Sequence, residues 1–260
     1  MTEAATARYA YAVTRGAAEG ALAGTTGIHG APVEVVTRGE LQALVSDVPL
    51  EEFDEEPLRR HLEDLRWVEQ VARAHDDVVR AAHGAAVVAP LSLATIFHDD
   101  DGVRDRLLAD GARLGAALDA VEGCDEFSVK VLRRASSTGT AASSAESRPA
   151  SGADYLRRKR EAAAHRVRAE QAAADFAVAV HDALAAEAAA SRRLAPQDPR
   201  LSALDGVMTL NAAYLVRRES SNGFAEALKA VQDRAGESGA DEVSVAGPWP
   251  PYSFVTLDGT

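Results

Sequence analysis

An α+β protein of two domains is the fold class this sequence predicts, and three observations predict it. Short runs that alternate apolar and polar or large and small residues, such as Tyr9-Ala10-Tyr11-Ala12-Val13-Thr14, read as strands. Longer stretches with apolar residues every three or four positions, above all from Pro57 and from Asp154 onward, read as helices. The two kinds are mixed without strict strand-helix-strand alternation, and Ala135 to Gly152, rich in Ser, Thr, Ala and Gly, divides the chain. The expected organisation is an N-terminal α+β domain over 1–134, a flexible linker or loop over 135–152, and a C-terminal α+β domain over 153–260.

Composition sets the bounds. The 260 residues are 47% apolar and 26% charged, enough to bury a core without metals or disulfides. No apolar run approaches the length that crosses a bilayer, and Met1-Thr2-Glu3-Ala4-Ala5-Thr6 lacks the blocks of a secretory signal. Cys124 is alone, so no intrachain disulfide forms and a reducing cytoplasm is the expected setting. The 28 basic and 40 acidic side chains leave a formal charge of −12, which repels nucleic acid and anionic lipid.

In the first half, Tyr9–Thr14 is the first strand, and 32–37 with 40–46 form a hairpin across Arg38-Gly39 that pairs with it. Residues 47–57 are expected as loop, including the acidic run Glu51-Glu52-Phe53-Asp54-Glu55-Glu56. Leu58, Leu62, Leu65, Val68 and Val71 mark an amphipathic helix from Pro57 toward Gly84, with a break near His75. A buried strand over 85–97 is interrupted at Pro90, a residue suited to an edge or bulge. Acids at Asp99 to Asp101 precede one helix over 103–121, and 126–132 alternates as a further strand of this half.

Beyond the dividing stretch, a long Ala-rich helix runs from Asp154 to about Ala190, with Leu156, Ala163, Val167, Ala174 and Val178 on its apolar side and Phe176, Val180 and Leu184 beside them. Its first turns carry Arg157, Arg158, Lys159, Arg160, Arg166 and Arg168, a basic cluster in an acidic chain. A strand over 207–216, a helix over 222–234 and a strand over 242–246 follow. The chain closes on Gly247-Pro248-Trp249-Pro250-Pro251-Tyr252-Ser253-Phe254-Val255, where three prolines fix an extended strip and three rings supply large apolar surface. This strip is expected to fold back and seal the protein's own core, that of the C-terminal domain being within reach, with a docking surface for another protein as the alternative.

The sequence offers no catalytic set. His61, His75, His83 and His98 crowd one region, but His61 and His75 are nearly four turns apart on a helix and no metal-binding pair is spaced for an ion. Ser220-Ser221-Asn222-Gly223 lacks the nucleophile-elbow pattern, Cys124 sits among acids that disfavour its thiolate, and the glycines form no phosphate-binding motif. No cofactor, metal or catalytic residue is expected, and a binding or assembly protein fits better than an enzyme.

Four stretches together resemble the gas vesicle protein F/L family. These are Tyr9–Val13 with Gly27-Ile28 and Leu41–Pro49; His75 with Val88–Phe97; Gly152-Ala153-Asp154-Tyr155-Leu156; and Leu210–Val216 with the closing strip. Ser92, Leu93 and Ala94 stand where Arg, Phe and Gly are usual in that family. The resemblance implies a C-terminal domain of modified ferredoxin-like fold and an accessory role in building gas vesicles. It also implies contact with the small hydrophobic shell protein and with other gas vesicle accessory proteins. On the matching motifs, Trp249, Tyr252 and Phe254 are the candidate contact residues, with Tyr155, Asn211 and Tyr214 expected to neighbour them.

Overall fold

The computed structural model describes residues 5–16, 22, 24–134, 152–196 and 206–255. The chain forms two compact units, Met1–Glu126 together with Pro248–Thr260, and Phe127–Gly247. The expected linker lies outside the described residues except for Gly152, where a helix begins.

The first unit is built on an antiparallel sheet of β1 (Thr6–Arg15), β2 (Glu34–Arg38), β3 (Leu41–Pro49) and β4 (Val87–Phe97), in the order β2-β3-β1-β4. The hairpin at Arg38-Gly39 forms as the sequence predicts, with Gly39 at φ 61°, a conformation cheap only for glycine. Pro90 falls on β4, an edge strand, where its missing amide donor costs no ladder bond to a further neighbour. Directly after it the ladder is broken: Ala10 and Ala12 of β1 face Thr95 and Pro90, so Leu91–Ala94 bulge out opposite the single residue Tyr11.

Helices differ from expectation in three places. The acidic run is not loop but the start of α1 (Leu50–Phe53) and α2 (Glu55–His61), where acids suit the positive helix end and Asp54 accepts from the Glu55 amide at 2.9 Å. The long helix breaks not at His75 but at 62–64, and α3 (Leu65–His83) runs through His75, capped by Asp64 at 2.9 Å from the Arg66 amide. The expected single helix over 103–121 is two, α4 (Asp100–Ala109) and α5 (Gly111–Val121), divided at Asp110. Tyr9, Tyr11, Leu44, Val48 and Phe53 are buried against Val71, Val78 and Val79 of α3 on one sheet face. Helix α5 packs on β4 and β1, and α4 on β2 and β3.

The second unit runs β5 (Cys124–Arg134), α6 (Gly152–Ala186), β6 (Ala190–Arg193), β7 (Gly206–Arg217), α7 (Ser221–Ser238) and β8 (Asp241–Trp249), with strand order β6-β7-β5-β8. That is the strand-helix-strand-strand-helix-strand order of a ferredoxin-like unit. Its first strand is the 126–132 run that the sequence assigned to the N-terminal half, and β6, with all four residues exposed, carried no apolar signal. Val129, Val131, Tyr214, Phe224, Val231 and Leu184 form its core, and the Arg133 guanidinium grips the buried Asp241 carboxylate through bonds of 2.7 and 2.9 Å.

Helix α6 buries only part of its expected apolar side. Val180 and Leu184 face the core as expected, together with Ala173 and Ala177, whereas Leu156, Val167 and Val178 are 52%, 60% and 45% exposed and Ala163 and Ala174 are exposed with them.

Candidate functional site

The first unit gathers its polar chemistry where β1, α3, the β4 bulge and the closing strip meet. Tyr9 and Tyr11, two apart on β1, share one face with ring centroids 4.9 Å apart. The His75 ring lies 5.8 and 5.6 Å from them. The Tyr9 hydroxyl oxygen accepts from the Ala94 amide at 3.1 Å, which leaves its own hydrogen for His75 Nδ1 at 3.0 Å. Burial holds His75 near pKa 4, against the charge of Asp76 and the main chain of Leu91, which favour the proton. Neutral His75 therefore accepts at Nδ1 and carries its hydrogen on Nε2, which makes no well-formed hydrogen bond among the described residues. Burial also raises the Tyr9 pKa, so its hydroxyl stays protonated as a donor.

Tyr11 has its own partners: its hydroxyl meets Ser46 Oγ at 2.6 Å and accepts from the Ile28 amide at 2.9 Å. Gly27 makes room for that arrangement, because a β-carbon there would lie 2.1 Å from the Tyr11 hydroxyl oxygen.

The closing strip docks on this unit. Asp76 of α3 accepts from the Tyr252 hydroxyl at 3.1 Å and from Arg80 Nε at 2.5 Å. The Arg80 guanidinium lies 4.0 Å above the Trp249 ring, a cation-π contact. Glu126 accepts from the Ser253 amide and hydroxyl at 2.7 and 2.6 Å. Burial pushes the Glu126 carboxyl up, and the two Ser253 bonds oppose that rise. Phe254 is half-buried, its amide donating to the Pro251 carbonyl at 3.2 Å. The expectation that the strip seals the C-terminal domain is thus corrected: Trp249 and Tyr252 serve the first unit, because Asp76 and Arg80 on α3 supply the only charged partners described for them. A cavity of about 350 Å³ remains beside the strip, lined by His75, Asp76, Pro90–Leu93, Tyr252 and Val255.

Tyr155, Asn211 and Tyr214 belong to the second unit. Tyr214 is buried on β7, its hydroxyl 2.9 Å from His181 Nδ1, and burial pushes it up to about 12. Asn211 donates to the Ala195 carbonyl at 2.7 Å and its main chain accepts from the Leu194 amide at 2.8 Å, tying the residues after β6 to β7. Tyr155 is 55% exposed on α6, with no ring contact to Asn211 or Tyr214 among the described residues. The six residues therefore fall into a docked strip, a strand-centre pair and an exposed helix ring rather than one site. Sequence reasoning missed Asp76 and Arg80 of α3 as the strip's partners and the bond of His75 to Tyr9, although His75 among apolar positions of α3 was a signal for the latter.

Among the described residues no group of three or more His, Cys, Asp or Glu side chains is placed to hold a metal ion, and no helix is long and apolar enough to cross a membrane. The chemistry on view is hydrogen bonding, ring packing and ion pairing.

The family model for gas vesicle synthesis protein GvpL/GvpF matches residues 7–256. Gas vesicle protein L of Streptomyces sp. (strain CB03234) is 43% identical over 254 residues, covering 96% of this chain and 93% of that protein. Gas vesicle protein F of the same strain is 31% identical over 235 residues, covering 86% and 88%. The crystal structure of GvpF from Anabaena sp. PCC7120 superposes with a TM-score of 0.70 at 16% identity, covering 98% of both chains. GvpF from Microcystis aeruginosa gives 0.65 at 17%, covering 96% and 99%. At those identities the two structures establish the fold, while the matched profile and the Streptomyces relatives establish the kinship: the chain belongs to the GvpL/GvpF family of gas vesicle synthesis proteins.

Proposed function

We propose that this chain is an accessory protein of gas vesicle assembly that binds the small hydrophobic shell protein while the vesicle wall nucleates and grows. The observation that carries the reading is the 43% identity to a gas vesicle protein L over 96% of the chain. The physical need is plain. A wall subunit with one strongly apolar face associates indiscriminately until it joins the wall, and a carrier holds it back by covering that face. A chain of formal charge −12 keeps itself and its cargo dispersed while doing so. The reading places the chain in the cytoplasm, in contact with shell protein and other gas vesicle accessory proteins, and assigns it no catalytic step, metal or cofactor.

Co-purification of the tagged chain from cells that carry a reconstituted gas vesicle gene cluster tests this. Recovery of shell protein with the tag is the expected result, and vesicle-forming cells that yield the tagged chain without shell protein would overturn it. Mass spectrometry of stripped, washed vesicles then separates a transient carrier, which is lost, from a minor component retained in the wall.

A further inference from the structure

Helix α6 carries a second apolar stripe that no described residue of its own unit covers. Leu156, Ala163, Val167, Ala174 and Val178 are all exposed. At about 100° per residue they fall within about 60° of one another around the helix, roughly a quarter turn from the buried stripe. Their spacing alternates seven and four, an eleven-residue repeat that keeps the stripe in line along a nearly straight helix. Over this distance it runs for about 33 Å.

Charge along the same helix is segregated. Residues 153–168 carry six basic side chains against Asp154 and Glu161, a net of +4. Residues 169–186 carry Glu170, Asp175 and Asp182 and no Lys or Arg, a net of −3. Among the described residues Arg157 pairs with Asp154 and Arg166 with Glu170 within the helix, and residues 155–168 are exposed on every side.

We propose that this stripe is a self-association surface, on which a second copy of the chain lays its own α6 antiparallel to the first. The antiparallel arrangement sets the basic half of each helix against the acidic half of the other, whereas a parallel one stacks like on like. The pairing is isologous, so it closes at two copies. With Val167 on the two-fold axis, Leu156 of one copy lies opposite Val178 of the other and Lys159 opposite Asp175. The small side chains of Ala163 and Ala174 let the two backbones approach. The inference does not depend on the identity of the shell partner.

Sedimentation equilibrium on the purified full chain across the micromolar range tests it. The expected result is a concentration-dependent dimer that high salt weakens. In Val167→Arg, where two guanidinium groups meet at the axis, the dimer dissociation constant is expected to rise at least about tenfold. Mild oxidation of Val167→Cys is expected to give a disulfide-linked dimer, whereas Glu161→Cys, on the far side of the same exposed helix, is not. Circular dichroism confirms that each variant keeps its helix. A wild-type chain that stays monomeric across the range, a Val167→Arg dimer of unchanged affinity, or equal cross-linking at positions 161 and 167 would each overturn the proposal.

Discussion

Ala94 sits at φ 62°, left-handed backbone that an L side chain adopts at a cost of about 1 kcal/mol or more. Its amide is held there by the buried Tyr9 hydroxyl, so the β4 bulge keeps the strained conformation. Ala94→Gly is expected to stabilise the protein by about 0.5–1 kcal/mol in urea unfolding, the relief of strain outweighing the added freedom of the unfolded chain. His75 gives a pH dependence of known sign. Its folded pKa of about 4 lies below the ordinary 6.5, so the unfolded chain takes up a proton that the folded one refuses. Stability is therefore full above pH 6.5, falls as the pH drops from 6.5 toward 4, and levels off below, for a loss of about 3 kcal/mol. Glu126, with its pKa raised by burial, runs the other way, which makes the comparison with His75→Gln the clean measurement: the variant should show a flatter profile over that window. Gly27→Ala, with its new methyl against the Tyr11 and Ser46 hydroxyls, is expected to cost about 1–3 kcal/mol by thermal unfolding.

At the scale of elements, the closing strip is a brace rather than a tail. Trp249→Ala removes both ring packing and the contact under Arg80, and the melting temperature is expected to fall by about 5 °C. A double-mutant cycle with Arg80→Ala should return a coupling of about 1 kcal/mol. The strip was legible in the sequence as rigid and aromatic, because proline and ring content are local properties. Its destination was not, since Asp76 lies 176 positions from Tyr252 and nothing local encodes that pairing. The same reason explains β5. A strand is expected to join its sequence neighbours, yet β5 lies between β7 and β8 in the second sheet, on the far side of the dividing stretch. Helix breaks at Asp110 and at 62–64 were missed because leucines on both sides keep the apolar spacing going, whereas the edge position of Pro90 followed directly from its missing amide. On α6 the sequence showed two adjacent apolar stripes, and only tertiary packing decided which one was buried.

For the whole molecule, family and fold agree. The chain folds as two α+β units, each with its own sheet and its own apolar core. A formal charge of −12 favours dispersion, and on the proposed function the shell protein is the apolar client that this would serve. The most direct measurement is to dilute shell protein out of denaturant with and without an equimolar amount of the purified full chain, then fractionate the supernatant by size. The account predicts that the chain keeps shell protein soluble and elutes with it in one peak. Shell protein that pellets to the same extent in both cases, leaving the chain to elute by itself, would contradict it.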